Sequence, residues 1–487
     1  MKITDLHPTK LWYYFDKILQ IPRCSGKEEK IVDFLVNFAQ SKNLQYKKDK
    51  IGNVTIKKNA TQGYEQLKSI ALQCHVDMVC EKDNDINHNF EVDPIPAYID
   101  GDWIKSKGTT LGADNGIGIA ILLAILDSED IEHGPIECLF TVDEERGLTG
   151  AAKLKSDFLE SKILINLDSE DEGEIFIGCA GGITTTGIIK FGFRRPPRRI
   201  NPLKLTVSGL HGGHSGDDIH KGYANAIKIL GRLLYFIDEN FSIKLGYIEG
   251  GTLKNVIPRE AYAVFYVTYE KIPKVINYVN ELYNQLLNEY KDIEPSLKIS
   301  IEKTEKCERI IDDRTKSKLI YILMAIDNGV IEWSKAIPNL VETSTNLASI
   351  KINKRKIIIQ TSQRSSLESA KLYVANSIAS LFKLVKGKVV FSEEYPSWTP
   401  NFNSEILNVA KNVYLKMFNQ EPKIKAIHAG LECGLFLKKY PHLDMISIGP
   451  TIRNVHTPKE QLSISSTIKF WNYLLELLKN IPKNENY

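Results

Sequence analysis

The stretch Ser69-Ile70-Ala71-Leu72-Gln73-Cys74-His75-Val76-Asp77 is an apolar run that ends on an imidazole and a carboxylate. Its short length and polar flanks suit a buried strand better than a helix. While the chain stays extended, side chains alternate between faces, so His75 and Asp77 lie on one side. The pattern recurs. Apolar segments at 136–142 and 162–167 run into Asp143-Glu144-Glu145 and Asp168, and a segment at 443–448 precedes the loop that carries His456. Helical patterns at 9–20, 27–42, 116–128, 151–157, 404–418 and 431–438 alternate with these strands and with one at 423–427. Such alternation predicts an α/β fold, a mixed and largely parallel sheet flanked by helices.

From about residue 183 the texture changes to longer β segments at 203–207, 261–268, 297–301 and 356–361. This predicts an inserted α+β lid domain, large enough for two lobes. Cys179-Ala180-Gly181-Gly182 and Tyr395-Pro396-Ser397-Trp398-Thr399-Pro400 are the expected hinges. The expected organisation is a catalytic domain in two parts, 1–182 and 396–487, with the lid at 183–395. A chain of 487 residues exceeds one ordinary core, which agrees with a two-domain reading.

Bulk properties exclude several classes. The chain is 43% hydrophobic and 25% charged, as in folded globular proteins. Its 63 Lys and Arg against 60 Asp and Glu leave a net charge of +3, which gives no reason to expect a nucleic-acid or membrane partner. The longest apolar run, 117–126, is about half of what a bilayer requires. No secretory signal is read at the start, and the seven cysteines lack the paired spacing of a disulfide scaffold or zinc ribbon. A reducing cytoplasm is therefore expected.

In an open α/β sheet, functional side chains gather beyond the carboxyl ends of the strands. His75, Glu145, Asp168 and His456 fall at such positions, and Asp114 precedes the helix that begins near Gly116. Singly, each reads as a loop residue, an acidic turn or a helix cap. Jointly they offer the imidazole and carboxylate donors that a pair of zinc ions requires. The expected arrangement has Asp114 as the bridge, His75 and Asp168 on one ion, and Glu145 and His456 on the other. Glu144 is left free as a general base. Asp77 is expected to hydrogen-bond the distal nitrogen of His75. Manganese or cobalt would suit the same donors. Gly116-Ile117-Gly118 is not a dinucleotide turn, because Ile121 occupies the third glycine position, and neither a Walker loop nor a His-Glu-x-x-His helix occurs.

These motifs resemble metallopeptidase family M20, and more closely its aminoacyl-histidine dipeptidase branch. The likeness rests on His75-Val76-Asp77-Met78-Val79, Gly112-Ala113-Asp114-Asn115-Gly116-Ile117-Gly118, Asp143-Glu144-Glu145, Leu167-Asp168-Ser169-Glu170, Gly212-Gly213-His214-Ser215-Gly216, His428-Ala429-Gly430-Leu431-Glu432 and Asn454-Val455-His456-Thr457-Pro458. The resemblance implies a zinc-peptidase-like sheet with the inserted lid, a cis Asp114–Asn115 peptide, and the metal and base roles given above. It also implies substrate contacts from His214, Asn255, Arg364, His428 and Glu432, with His214 at the oxyanion and Arg364 meeting a carboxylate. Closure of the lid would exclude water. Arg146 and Leu253 depart from the family pattern without removing a ligand. The expected activity is di-zinc hydrolysis of short peptides, Xaa-His dipeptides such as β-alanyl-histidine among them. The rival readings are an N-acyl amino acid deacylase or a non-catalytic metal-binding regulator. A small peptide substrate is the expected partner, and the chain could be a monomer or a homodimer.

Overall fold

The computed structural model describes residues 2–484. Two compact units divide the chain: Met1–Cys179, Trp398–Ala426 and Leu431–Tyr487 form the first, and Ala180–Ser397 with Ile427–Gly430 form the second.

The first unit is built on an eight-stranded mixed sheet. In chain order its strands are β1 (Gln45–Lys48), β2 (Val54–Lys58), β3 (Ile70–His75), β4 (Ile136–Thr141), β5 (Ile163–Asn166), β6 (Glu174–Cys179), β7 (Lys423–Ile427) and β8 (Asp444–Ser447). Across the sheet they run β1-β2-β4-β3-β5-β8-β6-β7. The central pairs β4–β3, β3–β5 and β5–β8 are parallel, and the flanking pairs β1–β2, β2–β4 and β8–β6 are antiparallel. Every residue of β3, β4 and β5 is buried, which explains why these strands read as continuous apolar runs without alternation.

Helices Thr9–Leu19, Glu29–Ser41, Glu405–Phe418 and Ile464–Lys479 each turn an apolar stripe to this core. Helix Ala113–Leu126 differs, with every residue but Asp114 buried. The apolar run 117–126 is thus a core helix, and no helix among the described residues is long and apolar enough to cross a membrane.

The second unit is α+β. Its nine-stranded antiparallel sheet carries the order Lys298–Lys303, Ile200–Ser208, Ala261–Thr268, Lys244–Gly250, Val341–Asn353, Lys356–Ser365, Gly181–Lys190, Lys388–Tyr395, with Gly329–Trp333 added beside Val341–Asn353. Strands Lys244–Gly250 and Val341–Asn353 are joined where Gly250 pairs with Ile350. Helices Ala226–Phe241, Ile272–Tyr290, Asp313–Ala325 and Glu368–Leu384 share its apolar core.

One sequence expectation is overturned. Cys24 and Cys80, expected to be unpaired, form a disulfide, and the other five cysteines are free. The cause is tertiary. Backbone bonds from Ser25 N to Met78 O and from Met78 N to Arg23 O zip residues 23–25 along residue 78, which brings two distant cysteines to a Cα separation of 5.6 Å.

Candidate active site

His75 ends β3, Glu144 and Glu145 follow β4, Asp168 follows β5, and the loop carrying His456 follows β8. Because these four strands are parallel to one another, all these residues emerge at one edge of the sheet. Asp114 reaches the same edge from the start of the core helix. Gly112, with φ 69°, turns the chain there, and Asp114 and Asn115 leave helical geometry across a cis peptide.

The cluster is organised about Asp114. His75 Nε2 lies 3.0 Å from Asp114 Oδ1 and 3.3 Å from Asp168 Oδ1. His456 Nε2 lies 3.2 Å from Asp114 Oδ2 and 3.0 Å from Glu145 Oε1. Each Asp114 oxygen therefore serves one imidazole, and each imidazole meets one further carboxylate. The ligand atoms of His75, Asp114 and Glu145 all fall within 4.8 Å of one another, a grouping able to hold a metal ion.

Electrostatics point the same way. Burial opposes charge on His75, yet the Asp168 and Asp114 carboxylates outweigh it and raise its proton affinity well above the ordinary value. Hydrogen bonds to Asp114 and Glu145 raise His456 to about 11. Burial works against the Asp114 carboxylate too, but its bonds to His456 and His75 keep it ionised. Two imidazoles hold protons among three carboxylates, and a cation bound by the same donor atoms would take the place of those protons. The donor set fits divalent zinc.

Glu144 is partly buried, and no side chain among the described residues hydrogen-bonds its carboxylate. Burial raises its pKa well above the usual range, and Asp168, Glu145 and Glu432 add to the rise against the pull of His75. Asp77 faces the distal nitrogen of His75. His75 Nδ1 is 3.1 Å from the Asp77 backbone carbonyl and 3.5 Å from its carboxylate. The carboxylate also accepts the amides of Glu144 (3.0 Å) and Glu145 (3.2 Å). Asp77 thus orients the histidine largely through its main chain and the Glu pair through its side chain.

Of the substrate residues implied by resemblance, His214, Arg364 and His428 cluster within the second unit. A Cβ on Gly216 would lie 3.1 Å from His214 Cε1, 3.3 Å from Arg364 Cζ and 3.0 Å from the His428 carbonyl, so the three groups close tightly around this glycine. His214 Nδ1 is 2.8 Å from an Asp217 carboxylate oxygen. Arg364 donates to Tyr395 Oη at 3.0 Å, and its buried Nε has no partner. Burial and the nearby guanidinium lower His428 to about 3, so it is a neutral imidazole beside Ser344 Oγ at 2.7 Å. Asn255 is exposed, and its carbonyl accepts the Ser215 amide at 2.8 Å beside His214. Glu432 belongs to the first unit, is fully buried, and accepts from Gln73 Nε2 (2.6 Å) and Thr141 Oγ1 (2.8 Å), so it does not line a pocket as expected.

Sequence reasoning missed three residues that frame the cluster. Asn115 donates to Leu167 O at 3.0 Å and to Asp168 Oδ1. A Cβ on Gly118 would fall 1.8 Å from Asn115 Oδ1, which accounts for the second glycine of Gly116-Ile117-Gly118. Arg23 and Glu460 are both 2% exposed and bond to the main chain around Asp114. A buried charge needs a partner, but neither sits in a segment whose pattern announces burial.

Residues 71–480 match the sequence pattern of peptidase family M20/M25/M40. The chain is 43% identical over 481 residues to the cytosol non-specific dipeptidase of Escherichia coli, covering 99% of each chain. Its structure superposes on an aminoacylhistidine dipeptidase from Vibrio alginolyticus with a TM-score of 0.92 at 40% identity, covering 99% of both chains. A tripeptidase from Staphylococcus aureus shares the fold, with a TM-score of 0.56 at 17% identity over 97% of this chain and 98% of that one. The sheet edge that gathers two imidazoles, three carboxylates and an unpaired glutamate, and the full-length likeness to named peptidases, lead to one assignment: this chain belongs to peptidase family M20/M25/M40 and is a hydrolase acting on peptide bonds.

Proposed function

We propose that the chain is a cytosolic di-zinc dipeptidase that hydrolyses short peptides, Xaa-His dipeptides such as β-alanyl-histidine among them. The observation that carries this reading is the division of Asp114, one oxygen toward His75 and Asp168, the other toward His456 and Glu145. The names of the Escherichia coli and Vibrio alginolyticus relatives supply the dipeptide class, and the former supplies the compartment.

In this reading His75 and Asp168 would hold one ion, Glu145 and His456 would hold the second, and Asp114 would contribute a carboxylate oxygen to each. Bound there, the cations supply Lewis acidity toward a peptide carbonyl and make water at the site more acidic. Glu144 takes the proton of the attacking water and delivers it to the leaving amine. Asp77 holds Glu144 in place through the amide that it accepts. His214, Asn255, Arg364 and His428 contact the substrate, with the Arg364 fork suited to a carboxylate and His214 suited to a developing oxyanion.

The test is a panel of β-alanyl-histidine, alanyl-histidine, a leucyl dipeptide and an N-acetyl amino acid offered to zinc-loaded protein. Amine release from the dipeptides supports the proposal. Release from the N-acetyl compound alone would make the chain a deacylase, and release from none would favour a regulatory role.

A further inference from the structure

The guanidinium of Arg23 is buried and donates through Nη1 to Val76 O (3.0 Å) and Asp77 O (2.9 Å), and through Nη2 to Gly112 O. Glu460, equally buried, accepts Leu111 N and Gly112 N at 2.8 Å on one oxygen and Asp114 N at 3.1 Å on the other. The peptide groups around Gly112 are thus gripped from both polarities, N–H by the glutamate and C=O by the arginine.

Three loops converge on this pair. Arg23 holds the two residues that follow His75. Glu460 lies on the His456 loop, with Glu460 N bonded back to Thr457 O at 3.0 Å. Both hold the turn that presents Asp114. Glycines make room for the grip: a Cβ would come within 2.7 Å of Arg23 Nη2 at Gly112 and within 2.6 Å at Gly116. Burial disfavours the charge on Arg23, and Glu460, Asp77 and Asp114 offset part of that cost. A buried charged pair is not in general more stabilising than an apolar one, so its use is better sought in the geometry it imposes.

We propose that Arg23 and Glu460 are positioning residues that fix the Asp114 backbone so that one carboxylate oxygen faces His75 and the other faces His456. This rests on the di-zinc reading. Neither residue touches substrate in the proposal; both act through Asp114. Groups that orient metal ligands typically account for about 10–100-fold in metal affinity.

The experiment is zinc titration by calorimetry of wild type, Arg23→Gln, Glu460→Gln and the double variant, with kcat and KM measured at low and saturating zinc. A core variant remote from the site, Leu474→Ala, serves as a control for general destabilisation. The expected result is zinc binding weakened by roughly 10–100-fold in each single variant. The double variant should lose much less than the product of the two, because both act on one turn. Activity should recover substantially at saturating zinc, with the residual loss in kcat and not in KM. Unchanged zinc affinity, or a loss equal to that of the control at matched melting temperature, overturns the proposal. Should Arg23→Gln not fold, Arg23→Lys, which keeps the buried charge, carries the same comparison. Wild type that binds fewer than two zinc ions would instead overturn the di-zinc reading, so the two failures are distinct.

Discussion

At the scale of single residues, Glu144 and His75 separate chemistry from metal retention. Glu144→Gln keeps the volume and is expected to retain zinc while turnover falls by about 10²–10⁴-fold; unchanged turnover contradicts its role as base. His75→Ala removes a ligand and should lose zinc, as measured by metal analysis after dialysis. The imidazoles also fix the sign of a pH effect. In the metal-free protein His456 is raised to about 11 and His75 is raised well above the ordinary value, so at neutral pH both carry protons that a cation must displace. Zinc binding should therefore release protons and weaken as pH falls, which calorimetry in buffers of different ionisation enthalpy reads directly. Proton uptake, or affinity independent of pH, would contradict this. The candidate ligands could be picked out in the sequence because His75 and Asp168 directly follow apolar runs, Glu145 and His456 lie in the loops beyond two others, and Asp114 precedes a helix. Asp77 was legible as a neighbour of His75 but not as the acceptor for Glu144 and Glu145, since those bonds span 67 and 68 residues. Glu432 looked like a pocket residue because nothing in a single glutamate reveals that Gln73 and Thr141 lie beneath it.

At the scale of elements, the segments read from apolar period and length lie where strands and helices form, with ends shifted by only a few residues: the strand read at 162–167 spans Ile163–Asn166, and the helix read at 116–128 spans Ala113–Leu126, while strands Gln45–Lys48, Val54–Lys58 and Glu174–Cys179 were not read. The early start of that helix reflects the turn at Gly112, which Arg23 and Glu460 hold from segments about 90 and 350 residues away. The glycine at 118 makes a sharp prediction. Gly118→Ala drives a methyl into Asn115, so stability should fall by about 1–3 kcal/mol and zinc binding should weaken with it. An alanine variant with wild-type melting and zinc affinity would show that Asn115 can move without consequence. The cysteine pair was hidden from sequence because spacing along the chain says nothing about loops that meet in space. Its two members are 56 residues apart, so the link contributes up to about 4 kcal/mol by restricting the unfolded chain. Under non-reducing conditions Cys80→Ser should melt below wild type, and mass spectrometry after alkylation should find Cys24 and Cys80 protected in wild type alone. Full alkylation of both in the native oxidised protein would exclude the pair.

At the scale of the whole molecule, two units each have their own sheet and apolar core, and all five candidate ligands belong to the first. The second unit differs in texture along the chain from the first, because a β-rich antiparallel sheet reads differently from buried parallel strands. It did not reveal that Ile427–Gly430 clusters with the inserted unit while the elements on either side stay with the first. Zinc at about a thousand times its dissociation constant should add roughly 4 kcal/mol to the stability of the unit that binds it. Hydrogen exchange should register this as protection around Asp114, Glu145 and His456. The most direct test of the central claim is anomalous diffraction at the zinc edge from zinc-loaded crystals. The account predicts two peaks about 3.5–4 Å apart that straddle the Asp114 carboxylate; a single peak, or a pair not bridged by Asp114, would contradict it.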